Sequence, residues 1–264
     1  MSETQSEPQI KGELFLFKKP ELMHHEAHGS LGMTKPAKRY DFCSGVRAVP
    51  LTVGELASAS RDYPIVLISE EQPIPIAAVG LVDDKNLFVD DAGDWERYRY
   101  VPGYVRRYPF ALAGEEDGDR LAVVIDTDYD GLKAGGEAPL FNGQEATQPT
   151  QAAIEFCKSY EEDRLRTIEF GKRLIDLGIV GNMVAQYTPT GSKEPKAFAQ
   201  YIGIDDQKLR NLSKEKISEL HENNMLPIIY SMLTSLHNWR MVLERRATRF
   251  GLSEDQILQE QIKS

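Results

Sequence analysis

Apolar positions come in short runs through the first half of the chain and at three- and four-residue steps through the second. The first pattern predicts strands and the second helices. Leu14–Phe17 reads as a first strand. Lys18–Arg39, with Pro20, Gly29, Gly32 and Pro36, reads as a loop. Thr52 followed by Glu55 makes a capping box, with Leu51 and Leu56 placed as a hydrophobic staple. A short helix from Val53 to Ser60 follows, and Pro64 stops it. Pro64–Ser69, Ile74–Val82 and Leu87–Val89 are separated by short turns, which predicts an antiparallel meander. Pro75 argues for an edge strand or a bulge in the second run.

From Asn86 to Leu112 the chain concentrates Trp95, four tyrosines and four arginines. Pro102 suits the first position of a short helix carrying Tyr104 and Tyr108 on one face, and Pro109 ends it. Phe110–Ala113 and Leu121–Ile125 then read as strands joined by an acidic turn. Gln151–Leu177 has helical periodicity, with Gly178 as its C-terminal cap. Met183–Tyr187 and Ala197–Ile204 form a hairpin pattern. A helix capped by Ser213 runs to Glu222, and a last one runs from Pro227 to Phe250, ended by Gly251. The fold class expected is α+β, with an antiparallel β-rich N-terminal half and a helix-rich C-terminal half. A single domain over residues 13–250 is expected, β-rich over 13–145 and helical with a hairpin over 150–250. Residues 1–12 read as a disordered lead-in and 251–264 as a tail.

Composition changes this picture in a few places. With 31 Lys and Arg against 41 Asp and Glu, the net charge of −10 disfavours nucleic acid as a partner. Cys43 and Cys157 make no disulfide framework and no CxxC pair, which fits a reducing compartment. No apolar run reaches the length of a membrane span, and the polar, acidic N-terminus lacks the features of a secretory signal. The default location is cytoplasmic, without membrane insertion.

Three clusters are candidates for chemistry. Asp126, Asp128, Asp130, Gly131 and Glu137 have the spacing of an EF-hand calcium loop, but a strand-like run precedes them and nothing helical follows. The other reading is a solvated acidic turn. His24, His25, Glu26 and His28 supply imidazoles and a carboxylate suited to a transition metal, or else an exposed loop with His28 packed on the domain. Arg106 and Arg107, among Tyr104, Tyr108 and Trp95, suit a carboxylate or phosphate ligand; alternatively they pair with Asp90, Asp91, Asp94 or Glu96. Arg240, Arg245, Arg246 and Arg249 near the end of the last helix complement its dipole on a solvated helix end. No GxSxG, P-loop, dinucleotide-binding or kinase signature is present, and Ser231, Ser235 and His237 do not make a triad.

The motifs together resemble the SapC family of bacterial proteins. They run in order through Pro50-Leu51-Thr52 with Glu55, Asp62–Val66, Gly80-Leu81, Asn86–Asp90, Trp95, Tyr100–Pro102 and Tyr104–Phe110. Pro139–Phe141, Thr167, Ser235-Leu236 and Asn238-Trp239 continue the pattern, and His28 resembles a histidine near the family's start. The resemblance covers Leu14 to Leu243 and is most specific between Asn86 and Phe110. It implies a link to bacterial surface-layer proteins, and an accessory role beside outer-membrane uptake receptors and flavin-dependent halogenase-like proteins. It carries over no catalytic residues.

The function expected is therefore a non-enzymatic accessory or binding protein for a small-molecule or protein ligand, seated over Trp95, Tyr104, Arg106, Arg107 and Tyr108 with His28 and Asp90. The alternatives are a metal-dependent enzyme using His28 and nearby acidic residues such as Asp90, and a structural protein of the cell surface.

Overall fold

The computed structural model describes residues 13–114, 121–189, 191–253 and 256. The expected lead-in, most of the acidic turn after Ala113 and most of the tail lie outside them. In chain order the strands and helices begin with β1 (Pro20–Leu22), α1 (His25–His28), β2 (Leu31–Met33), β3 (Ala48–Pro50) and α2 (Leu56–Ala59). Next come β4 (Ile65–Leu67), β5 (Pro75–Ala78), α3 (Gly103–Arg106), β6 (Phe110–Gly114), β7 (Leu121–Asp126), β8 (Leu132–Ala134), β9 (Ala138–Pro139), β10 (Phe141–Asn142) and β11 (Glu145–Ala146). The long α4 (Gln148–Asp176) precedes β12 (Val180–Tyr187), β13 (Lys196–Ile204), α5 (Asp206–Arg210), α6 (Lys214–Glu222), α7 (Met225–Ser235) and α8 (Trp239–Phe250). All the strand pairs are antiparallel, and the long helices follow Ala146, so the chain is α+β.

The chain divides into two compact units that are interleaved along the sequence. The first comprises Met1–Phe42 with Arg106–Glu162, and the second Cys43–Val105 with Asp163–Ser264. In the first unit β1, β7 and β6 form one sheet and β8, β2 and β9 another. Phe110, Ile125, Leu132, Leu140 and Cys157 make its main core. Leu14 and Phe17 pack on a second cluster of Ala111, Ala113 and Val124. They do so from a turn closed by the Phe17 N–H on the Leu14 carbonyl, so the first strand starts at Pro20 and not at Leu14. The segment expected as a loop holds β1, α1 and β2, whose strand partners lie about a hundred residues away in sequence.

The second unit is built on a five-stranded sheet in the order β12-β13-β4-β5-β3. The capping box forms, with the Thr52 N–H donating to Glu55 Oε1 at 2.7 Å, although its first turn is a 3-10 helix from Val53 to Glu55. The expected strand at Leu87–Val89 is reduced to a single bridge between Val89 and Trp95. Val66, Ala78, Phe198, Trp239, Val242 and Leu243 form the core where α8 covers the sheet. Gly171 of α4 allows close approach: a Cβ there would lie 2.2 Å from the Pro73 carbonyl oxygen.

The last helix is broken, contrary to its continuous apolar stripe. A 3-10 turn from Leu236 to Asn238 separates α7 from α8. Two side chains at the break explain it. Ser235 Oγ accepts from the Ile65 N–H at 2.9 Å, and Asn238 Nδ2 donates to the carbonyls of Ser60 and Tyr63 at 2.8 and 3.2 Å. Edge groups of β4 and the end of α2 thereby acquire partners that a straight helix would not supply.

Of the arginines of α8, Arg240 is exposed and pairs with Glu244 one turn on, but Arg245, Arg246 and Arg249 are not a solvated helix end. Arg246 is buried and bonds Asp83 through two nitrogens, at 2.6 and 3.2 Å. Arg245 grips Glu96 through both oxygens and lies 4.3 Å above the Phe88 ring, and Arg249 pairs with Asp91. These pairs fasten the segment from Asp83 to Glu96 to the helix.

Candidate functional site

A cleft of about 610 Å³ opens in the second unit. Strand β13 lines it over five consecutive residues, Ala197 to Tyr201. Val66 of β4, Ile76 and Ala78 of β5, and the Gly80–Val82 loop line it too, together with Arg47, Ala48 and Trp239. Phe198 stands edge-on to Trp239 with ring centroids 5.9 Å apart, and Tyr201 lies 5.7 Å from the same indole. Aromatic clustering of this kind gives a rigid apolar surface.

Among the described residues Arg47 is the one charged group on this lining. Its partner Asp84 is 3.6 Å away, and both side chains are more than half exposed, so the pair is weak. Burial raises the Tyr201 hydroxyl above its ordinary value, which keeps it a neutral donor and acceptor. The Trp239 indole N–H is buried and has no acceptor among the described residues. Apolar walls, one guanidinium, one hydroxyl and the Gln200 amide suit the capture of a largely apolar ligand bearing an anionic or carbonyl group. Serine, cysteine and histidine are not part of this lining among the described residues, so it presents no nucleophile and base.

The residues singled out from sequence fall in both units. His28, Arg106, Arg107 and Tyr108 belong to the first, and Asp90, Trp95 and Tyr104 to the second. In the second unit the aromatic block is knitted to a buried carboxylate. Glu55 Oε2 accepts from the Tyr100 hydroxyl at 2.8 Å and from the Gly103 N–H at 2.7 Å. Trp95 Nε1 donates to the Tyr63 hydroxyl at 3.1 Å, and that hydroxyl donates to the Tyr100 carbonyl. Burial raises the Tyr63 phenol well above its ordinary value, so it stays protonated. Tyr98 takes a left-handed φ of 64° and is wholly exposed. The turn there lets Arg99 Nη1 and the Tyr100 N–H both reach Asp62, at 3.0 and 2.8 Å, which offsets the strain. Tyr104 is buried, whereas Asp90 is exposed and accepts from the Asp94 N–H within its own turn.

In the first unit Arg106 is exposed, with its guanidinium 5.0 Å above Phe156. Arg107 is buried, 4.7 Å above Tyr160. Two of the acids proposed as their partners, Asp91 and Glu96, are held by Arg249, Arg99 and Arg245. Tyr108 stacks on Phe42 at 3.8 Å and donates to Asp126 at 2.9 Å.

Asp126 also accepts the backbone N–H groups of Lys18, Lys19 and Asp128, at 2.8, 3.0 and 3.1 Å. The first carboxylate of the calcium-like spacing is therefore turned inward, where it ties β7 to the segment before β1. Asp128 lies near Lys18, and Asp126, Asp128, Asp130 and Glu137 do not come together as a group able to hold a cation among the described residues. His28 is buried on the first unit. Its Nδ1 faces the His24 N–H at 3.1 Å and its Nε2 faces Glu21 at 3.3 Å. Among the described residues no three of His24, His25, Glu26 and His28 come together as a group able to hold a metal ion.

The cleft residues Arg47, Phe198 and Tyr201 carry no site signal in the sequence, and Trp239 reads there as part of a helix stripe. The usable signal was the long β12–β13 hairpin beside a much shorter β4. Spacing alone does not link Arg47 to a tryptophan far along the chain.

Compared with known proteins, the chain matches the family model described as SapC over residues 23–242, most of its length. No curated protein and no solved structure matches it.

Proposed function

The chain belongs to the SapC family, and we propose that it is a binding protein without catalytic chemistry, seating its ligand in the cleft of the five-stranded sheet. The cleft carries this reading. At about 610 Å³ it has the size of a small-ligand or peptide seat, with aromatic walls and a single cation to orient an anion. An accessory role beside a surface or uptake system, which the family resemblance implies, fits a chain that captures a ligand for another protein to use. The residues between Asn86 and Tyr104 act on this reading as a scaffold, since Glu55, Asp62 and the arginines of α8 occupy their polar groups.

A second seat is supported by one observation, the exposed Arg106 guanidinium over Phe156 in the first unit. Titration with an aromatic anion, 8-anilinonaphthalene-1-sulfonate, separates the two. Binding weakened by Arg47→Ala and Tyr201→Ala but kept by Arg106→Ala supports the cleft. The reverse pattern places the ligand at Arg106, and an unchanged response in all three variants rejects both seats. Fractionation of the producing cells tests placement: a strictly cytoplasmic protein removes the structural cell-surface role.

A further inference from the structure

We infer that the natural occupant of the cleft is an extended peptide segment bearing a carboxylate, which adds to β13 as a further strand. This rests on the cleft being the ligand seat. The two edges of β13 are unequally paired. Strand β13 pairs with β12 along its whole length, from Val180↔Ile204 to Tyr187↔Lys196. On its other edge the ladder to β4 consists of Ile202↔Leu67 alone. Strand β4 is three residues long and turns back at once, with the Ser69 N–H on the Gln72 carbonyl. Among the described residues, Lys196 to Tyr201 therefore has no strand on that edge, and no backbone hydrogen bond outside the strands reaches it.

The cleft lies along this unpaired length. Side chains alternate across a strand, so a cavity touched by Ala199, Gln200 and Tyr201 in succession meets the strand at its backbone edge. The register reinforces this. Ala199 opposes Ala185 and Ala197 opposes Gln186, so Phe198 is the extra residue of a β-bulge. Phe198 is buried against Trp239, which holds the bulged strand beside the cleft. Exposed edges are ordinarily blunted by charges or proline. After Lys196, β13 continues as Ala-Phe-Ala-Gln-Tyr-Ile-Gly-Ile with neither.

Unpaired N–H and C=O groups facing an apolar cleft select a backbone as partner. An added strand would satisfy them and seat its alternate side chains against Val66, Ile76, Ala78 and Leu81. Charge sets the remaining requirement. Arg47 is the charged residue of the lining and its pair with Asp84 is solvent-exposed, so the complementary peptide carries an acidic side chain or a terminal carboxylate.

The test uses the full chain and a phage-displayed library of random dodecapeptides. Expected is enrichment of sequences with alternate apolar residues and an acidic position. A synthetic copy should bind about tenfold more weakly to Arg47→Ala, the loss of one partly exposed charge-assisted hydrogen bond. N-methylation of the peptide backbone at alternate residues should abolish binding in one register and spare it in the other, because only one set of amides faces β13. Equal tolerance of both registers overturns strand addition. Failure to enrich any sequence, while the aromatic anion still binds and responds to Arg47→Ala, overturns the peptide and leaves the cleft as a seat. Loss of both responses overturns the seat itself.

Discussion

Replacing Glu55 by Gln removes one charge and exchanges one acceptor atom for a donor, at a side chain that is 6% exposed. In the native chain Oε1 receives the Thr52 N–H at 2.7 Å and the Thr52 hydroxyl at 3.3 Å, while Oε2 receives the Tyr100 hydroxyl at 2.8 Å and the Gly103 N–H at 2.7 Å. An amide keeps its oxygen on the Thr52 side and turns its NH₂ toward Tyr100 and Gly103. The Tyr100 hydroxyl can rotate to accept. The Gly103 N–H cannot, and it is left buried against another donor. A lost charge-assisted bond and a stranded amide together cost about 3–5 kcal/mol. Tyr100→Phe is the contrast, because it leaves the carboxylate with its other donors and should cost about 1 kcal/mol. Urea unfolding monitored by near-ultraviolet circular dichroism reads both, since Trp95 and Tyr63 belong to the same network. A Glu55→Gln variant as stable as wild type, or no costlier than Tyr100→Phe, refutes the view that this carboxylate holds the aromatic block in place.

Three further outcomes follow from the same geometry. The hydrogen bond from Arg245, above all, lowers the Glu96 carboxyl below its ordinary value of 4.5. Its contribution is therefore present above that value and lost as pH falls through the lower folded value, so Glu96→Gln should flatten the acid limb of the stability–pH profile; an unchanged limb removes this clamp. Burial pushes the Cys157 thiol up to about 11 and Cys43 is fully buried, so Ellman's reagent at pH 8 should label neither until the chain unfolds; rapid stoichiometric labelling of native protein contradicts this. Ser235→Ala strands the Ile65 N–H and should cost about 1–3 kcal/mol in chemical denaturation, whereas a neutral effect would show that the helix break does not depend on that bond.

Local signals were legible where their causes were local. The Thr52–Glu55 box, the Ser213 cap and the Gly178 and Gly251 helix ends depend on residues within a few positions of one another, and the β12–β13 hairpin pairs two runs adjacent along the chain. The failures share a different origin. Nothing near Ser235 announces that Ile65 needs an acceptor, so the broken helix reads as continuous. The DxDxDG spacing is faithful to a calcium loop, but the backbone donors of Lys18 and Lys19 that claim Asp126 lie over a hundred residues away. The arginines of α8 look like a solvated end because Asp83, Asp91 and Glu96 precede them by some 150 residues. The interleaved units follow from the same kind of pairing, in which β1 and β2 find their partners after Phe110. The cleft was invisible because five separated segments build it, and none has an unusual composition.

The cleft of the five-stranded sheet is the proposed ligand seat. It is tested most directly by equilibrium titration of 8-anilinonaphthalene-1-sulfonate into the wild-type chain, Arg47→Glu and Arg106→Glu. Both arginines are exposed, so each variant should fold. One saturable site is expected, weakened about tenfold or more by Arg47→Glu and unchanged by Arg106→Glu. Binding that ignores Arg47→Glu, or that falls only with Arg106→Glu, contradicts it.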